Sequence, residues 1–169
     1  WDGAFYYFAL TAENDAGESD LSEIRRMAVL IPRTGQTTSY ADKDDGDLEE
    51  GAAWPASRFI DNGDQTVTDT LTGLMWQQEE AGAMMTWEEA LTYCENLQLA
   101  GHDDWRLPNR NELQSLVDYS QYGPAIDIVR FPEAESSSYY WSSTTDVDNN
   151  SAWVVYFFNG GDGRYGKSD

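Results

Sequence analysis

The chain has 169 residues, one domain of ordinary size with room for a fragment of another, and its 40% hydrophobic and 14% aromatic content supplies a packed core, which excludes wholesale disorder. Its 31 acidic against 10 basic residues leave a net charge of −21, so its surface repels phosphate backbones and anionic membranes and attracts cations, calcium among them. A single cysteine, Cys94, excludes an internal disulfide.

Tyr6, Phe8, Leu10 and Ala12 alternate with Tyr7, Ala9, Thr11 and Glu13, the period of a half-buried strand. Asn14-Asp15-Ala16-Gly17 is a turn, from which Glu18 to Leu30 can return as a second strand. A lone hairpin is at best marginally stable in water. Residues 1–30 are therefore expected to pack on the domain C-terminal to them, to pair with another chain, or to belong to a sandwich truncated here; a hairpin native to the same fold is the alternative. The order Tyr6, Phe8, Leu10, Ala12, Asn14, Gly17, Ser19, Ser22 resembles the last hairpin of a fibronectin type III domain. Ile31-Pro32-Arg33-Thr34-Gly35 resembles a sortase sorting signal, but no hydrophobic tail comes after it, and it reads as a linker.

Asp42-Lys43-Asp44-Asp45-Gly46-Asp47-Leu48-Glu49-Glu50 gathers acids around a glycine. Hard cations take roughly six to eight oxygens from flexible carboxylate loops. The glycine comes too early for an EF-hand, and Ala53 stands where that motif needs its last carboxylate. Asp42, Asp44, Asp45 and Asp47 are the candidate calcium ligands, with Asp61 and Asp64 as further ones. A solvated acidic loop is the alternative.

Arg58 to Asp69 reads as strand, Asp61-Asn62-Gly63-Asp64 turn, strand, and Leu71 to Trp76 as another strand with Leu74 and Trp76 on one face. Thr86 and Glu89 form a capping box, after which Trp87, Ala90, Leu91, Cys94 and Leu97 keep helical spacing until Gly101. Trp105 and Leu107 alternate with Asp104 and Arg106 in a brief extended segment. Pro108 and a second capping box, Asn109 with Glu112, then start a short helix near Arg110 whose stripe is Leu113, Leu116 and Val117. Residues 122–133 are loop, broken by Pro124 and Pro132. Tyr139 to Thr144 and Ser151 to Phe158 are strands joined by the polar loop 146–150, and Gly161-Asp162-Gly163-Arg164-Tyr165-Gly166 reads as a turn. The expected core residues are Trp76, Trp87, Leu91, Cys94, Trp105, Leu107, Leu113, Leu116, Trp141 and Trp153.

Four stretches, Asp61 to Asp69, Leu71 to Trp76, Asp104 to Ser120 and Tyr139 to Thr144, resemble in sequence and order the C-terminal domain of the Legionella collagen-like adhesin family, over Ile31 to Lys167. The resemblance implies an α+β domain of the C-type-lectin-like kind over residues 31–169, related to the formylglycine-generating enzyme fold. It would hold two short helices and antiparallel strands, preceded by the 1–30 hairpin. It implies an extracellular or surface location on bacteria and binding rather than catalysis. Relatives often carry a second cysteine in a final strand, and Trp1 is not an initiator methionine, so the chain reads as a piece of a longer protein, truncated at its C-terminus.

In that fold the loops beside the last strands present the ligand surface, which nominates Asp146, Asp148, Asn149, Asn150, Asn159, Asp162, Arg164 and Tyr165. Aromatic faces with amides and carboxylates suit sugars, though the same residues also suit an ordinary wet loop. The family's adhesin is associated with sulfated glycans. With 10 basic residues a polyanion is a poor ligand here unless calcium bridges it. Hydrolase elbow, phosphate-binding loop and paired zinc ligands are all missing, and His102 is the only histidine, so no enzyme is expected. The expected partner is a surface glycan or protein, with neither nucleic acid nor membrane insertion. The alternative is a self-assembling filament subunit joined through exposed sheet edges.

Overall fold

The computed structural model of the protein describes residues 13–14, 17–18, 31–134, 138–148 and 150–168. The chain divides into two units, Trp1–Ile31 and Pro32–Asp169. In the first, β1 (Glu13–Asn14) pairs antiparallel with β2 (Gly17–Glu18). The rest of the hairpin read from the sequence, with its fibronectin-like pattern, lies outside the described residues.

The second unit is α+β, with two antiparallel three-stranded sheets and short helices. The acidic run, expected as an open loop, closes into a single helical turn, α1 (Asp45–Leu48), because Asp44 caps it and accepts from the Asp47 N–H at 2.9 Å. Its central glycine answers to packing. A Cβ on Gly46 would stand 2.1 Å from the Thr38 carbonyl oxygen, so only glycine lets the two backbones approach.

β3 (Phe59–Asp61), β4 (Thr66–Asp69) and β5 (Met75–Gln77) form the first sheet in chain order, with Phe59 opposite Asp69 and Val67 opposite Trp76. The strand expected from Leu71 starts only at Met75. The reason is Asp69, whose side chain draws residues 70–74 into a turn by accepting from the Leu71 N–H at 3.0 Å and the Thr72 hydroxyl at 2.9 Å. The same carboxylate holds Arg58 side-on, through Nε at 3.0 Å and Nη2 at 2.7 Å. Arg58 Nη2 also donates to the Ser115 carbonyl at 2.8 Å, which ties this hairpin to the helix that carries the central motif.

α2 (Trp87–Asn96) and α3 (Arg110–Gln114) both begin with the capping boxes that the spacing predicts. α2 ends before Gly101, because Leu97 turns extended and its N–H bonds the Cys94 carbonyl. At α3 Glu112 has two tasks. It accepts the Asn109 N–H at 2.9 Å and grips Arg106 with both oxygens, at 2.7 and 2.8 Å, so the segment before Pro108 is pinned to the helix it precedes. The Arg106 hydrogen bond holds the Glu112 carboxyl below the usual range.

β6 (Tyr139–Thr145), β7 (Ser151–Tyr156) and β8 (Gly161–Gly166) form the second sheet with β7 central. The stretch read as a turn at residues 161–166 is therefore a strand. Every one of its residues pairs with β7, from Gly161 opposite Tyr156 to Gly166 opposite Ser151. The reversal occurs earlier, at residues 157–160, where Gly160 adopts φ 74° and donates to the Tyr156 carbonyl. Glycines that signalled a turn sit in an edge strand instead.

The core gathers Phe59, Val67, Leu113, Leu116, Val117, Ala125, Ile126, Phe131, Val155 and Phe157. Leu113 and Leu116 stand as expected; Leu91, Cys94 and the tryptophans are half-buried at its rim. An indole is apolar over its body and polar at one atom, so Trp87 and Trp141 settle where that N–H finds a carbonyl, whereas Trp76 buries its Nε1 without an acceptor among the described residues. Trp87 donates to Ser142 at 2.9 Å and Trp141 to Met85 at 2.9 Å, which laces α2 and the segment before it to β6. No described helix is long and apolar enough to cross a membrane.

Candidate ligand-binding surface

Cross-strand register sets Tyr139 opposite Tyr156, and their rings stack at 4.8 Å. Tyr165 leans toward them from β8, its ring 4.4 Å from that of Tyr139. Between these rings β8 carries Gly161 and Gly163, and a Cβ on Gly163 would meet nothing within 4 Å. Two missing side chains beside three large ones leave a hollow of about 390 Å³, lined also by Asn159, Asp162 and Arg164. The aromatic row continues away from it through Phe158, 5.7 Å from Tyr156, to the exposed Tyr122 at 4.6 Å from Phe158.

The charged side chains of β8 alternate with Gly161, Gly163 and Tyr165, so they project from the other face of the sheet, and they are balanced within the protein. Arg164 donates to Asp146 at 2.6 Å, and that bond, with the Val147 N–H, holds the Asp146 carboxyl below the usual range. Arg110 pairs with Asp162 and lies 4.0 Å over the Trp153 ring. The Asn159 carboxamide keeps its oxygen on the Gly161 N–H at 3.0 Å, which directs its NH₂ group elsewhere. The surface thus offers aromatic carbon, phenolic hydroxyls and an amide, but no surplus positive charge.

The sequence-based candidates fall into two groups. Asn159, Asp162, Arg164 and Tyr165 come together at the hollow. Asp146, Asp148 and Asn150 lie at the β6–β7 loop, where Asp148 accepts the Asn150 N–H and Asp146 accepts the Val147 N–H and the Arg164 guanidinium, its one link to a residue of the hollow. Asn149 lies outside the described residues. In the sequence Tyr139 and Tyr156 show only as strand residues; the signal for their role is the pairing of β6 with β7, which puts both beside β8.

The candidate calcium ligands serve the backbone. Asp44 accepts from the N–H groups of Tyr40, Ala41 and Asp47, and these bonds, the one from Tyr40 foremost, hold its carboxyl low. Asp45 accepts from the Thr34 hydroxyl, and Asp47 from the Lys43 N–H at 3.0 Å. Asp61 accepts from the Gly63 N–H, and Asp64 from the N–H and hydroxyl of Thr66, which shapes the turn between β3 and β4. Asp42 is exposed. Among the described residues no three histidine, cysteine, aspartate or glutamate side chains stand close enough to hold a metal ion. Burial pushes the Cys94 thiol up, away from the thiolate that nucleophilic chemistry requires.

The family model described as "Lcl C-terminal domain" matches residues 65–169, which includes β4 to β8 and every residue lining the hollow. No curated protein and no solved structure matches the chain.

Proposed function

The chain belongs to the Lcl C-terminal domain family, and from that membership we propose that it is an adhesin-like module of the bacterial surface that binds an uncharged glycan in the tyrosine hollow. The observation that carries this reading is the ring of Tyr139, Tyr156 and Tyr165 around the open floor at Gly163. Pyranose rings present apolar C–H faces to aromatics, and their hydroxyls need paired polar groups such as phenols and the Asn159 amide. The net charge of −21 and the internally neutralised Arg110 and Arg164 disfavour a sulfated chain. Two antiparallel sheets flanked by short helices are compatible with the C-type-lectin-like architecture, which belongs to this proposal. We read the module as a binder, without catalysis.

The test is an array of neutral and sulfated glycans probed with the native protein and with Gly163→Val. The substituted side chain enters open space, so the variant should keep its melting midpoint while losing at least about tenfold in affinity, or about 1.4 kcal/mol. Retention of neutral glycans by the native protein alone is the expected result. Equal retention by both proteins, or preference for sulfated chains, would refute it. Sedimentation in parallel reads the competing possibility, assembly through the edges of β6 or β8: concentration-dependent growth without glycan retention would favour a filament subunit.

A further inference from the structure

A second concavity, of about 470 Å³, opens between the segment carrying Trp54 and Arg58 and the loop carrying Ile126, Asp127 and Arg130, with Asp118 also in its wall. Arg58 is 4% exposed, and its grip on Asp69 and Ser115 uses Nε and Nη2 only. Nη1 is buried and has no acceptor. A buried charged donor without an acceptor is destabilising, and native proteins seldom leave one without a reason. The side-on grip also places Nη1 on the side of the guanidinium away from the carboxylate.

The surroundings define what would complete it. Asp69 already neutralises Arg58, and the pocket sets two carboxylates, Asp118 and Asp127, against the one further guanidinium of Arg130, so an anion gains little there. Asp118 has Oδ1 engaged by the N–H and hydroxyl of Ser120, and Asp127 has Oδ1 engaged by the N–H groups of Val129 and Arg130. No protein donor reaches either Oδ2 among the described residues, which leaves these oxygens to accept from hydroxyls. Trp54, held by its Nε1 on the Arg33 carbonyl at 2.8 Å, is half-buried beside them and supplies an apolar ring. One unmade donor, two carboxylate acceptors and an indole face, with one carboxylate more than guanidiniums, are the complement of a hydroxylated ring.

We infer that this pocket is a second saccharide site, taking a single uncharged sugar ring with one of its oxygens on Arg58 Nη1. The Trp54 ring lies 4.4 Å over the guanidinium, so an oxygen reaching Nη1 shifts that ring, and its fluorescence reports the event. The site lies apart from the tyrosine hollow and has no residue in common with it.

The experiment is calorimetric and fluorescence titration of the native protein with methyl glycosides of glucose, galactose, mannose and N-acetylglucosamine. The expected result is two rings bound per chain. Trp54→Ala should weaken one of them at least about tenfold and abolish the fluorescence change, while Gly163→Val removes the other. Arg58→Lys, which keeps a charge opposite Asp69 but lacks Nη1, should match Trp54→Ala in any preparation whose circular dichroism is native. One ring bound, insensitive to Gly163→Val and lost in Trp54→Ala, would keep this site and remove the hollow as a glycan site. One ring lost in Gly163→Val and untouched by Trp54→Ala would overturn the inference while sparing the hollow, and no binding of any glycoside would overturn it outright.

Discussion

Both sheets of the second unit carry an arginine–aspartate pair, and the two have nearly the same shortest contact, 2.7 Å for the two-pronged Arg58–Asp69 pair and 2.6 Å for the single bond of Arg164–Asp146. Their surroundings differ. The Arg58 and Asp69 side chains are 3% and 0% exposed, and the carboxylate also organises residues 70–74. Arg164 is 58% exposed and its partner Asp146 10%, so water reaches this pair from the guanidinium side. A buried pair that loses one partner strands the other charge away from solvent, whereas water and salt replace much of what an exposed pair provides. Contact distance alone therefore says little about what a pair does. One holds two parts of the chain together; the other tidies the charge of a surface.

The largest effect expected from this contrast is Asp69→Asn, which should cost about 3–5 kcal/mol because Arg58 stays charged and buried. Chemical denaturation of the two proteins measures it, and a cost near zero would erase the distinction between the pairs. Acid sharpens the same test. Burial alone would raise the Asp69 carboxyl, but the Arg58 hydrogen bonds and charge, with the Leu71 N–H and Thr72 hydroxyl, outweigh it and hold the carboxyl below its ordinary value. Its stabilisation is complete above the unfolded value, about 3.9, and is lost as the pH falls through the depressed folded one. The gap between native and Asp69→Asn should accordingly narrow below about pH 4; a gap that widens in acid would contradict the assignment.

Next comes Asn109→Ala, which removes the side-chain oxygen that accepts from Glu112 N–H and should cost about 1 kcal/mol in the same denaturation experiment. Arg164→Gln ranks below it, with a melting midpoint unchanged within error and a small change in glycan retention. The smallest effect expected is that of calcium. With Asp44, Asp45 and Asp47 occupied by backbone and threonine donors, millimolar calcium against chelator should leave the melting midpoint unmoved. A ligand that binds only the folded state raises the midpoint, so a rise would show that calcium takes these carboxylates from the groups they now serve.

Much of the first sheet and the starts of α2 and α3 are legible in the sequence because those signals are local. A capping box, an Asn-Gly turn and a stripe at helical spacing each concern residues within a few positions of one another, and the structure has them at Thr86–Glu89, Asn109–Glu112 and Asp61–Asp64. The candidate site is legible only in part. Glycine marks turns and open strands alike, so residues 161–166 read as a reversal, although Asn159, Asp162, Arg164 and Tyr165 stand out as candidates. The hollow exists because Tyr139 and Tyr156, from strands joined across the 146–150 loop, meet a glycine-bearing edge. No local pattern encodes that meeting.

The sequence by itself determined the net charge of −21, the absence of an internal disulfide, the starts of α2 and α3 and the family, since composition and short-range pattern suffice for these. Among the described residues, tertiary structure alone decided what the engaged acids hold. It turned Asp44 into a helix cap, Asp64 into a turn brace and Asp69 into a buried anchor, moved the tryptophans from core to rim, and brought three tyrosines around a bare strand. The physical reason is range. Propensity and capping act over a few residues, whereas burial and cross-strand pairing depend on partners that the chain brings together only when it folds.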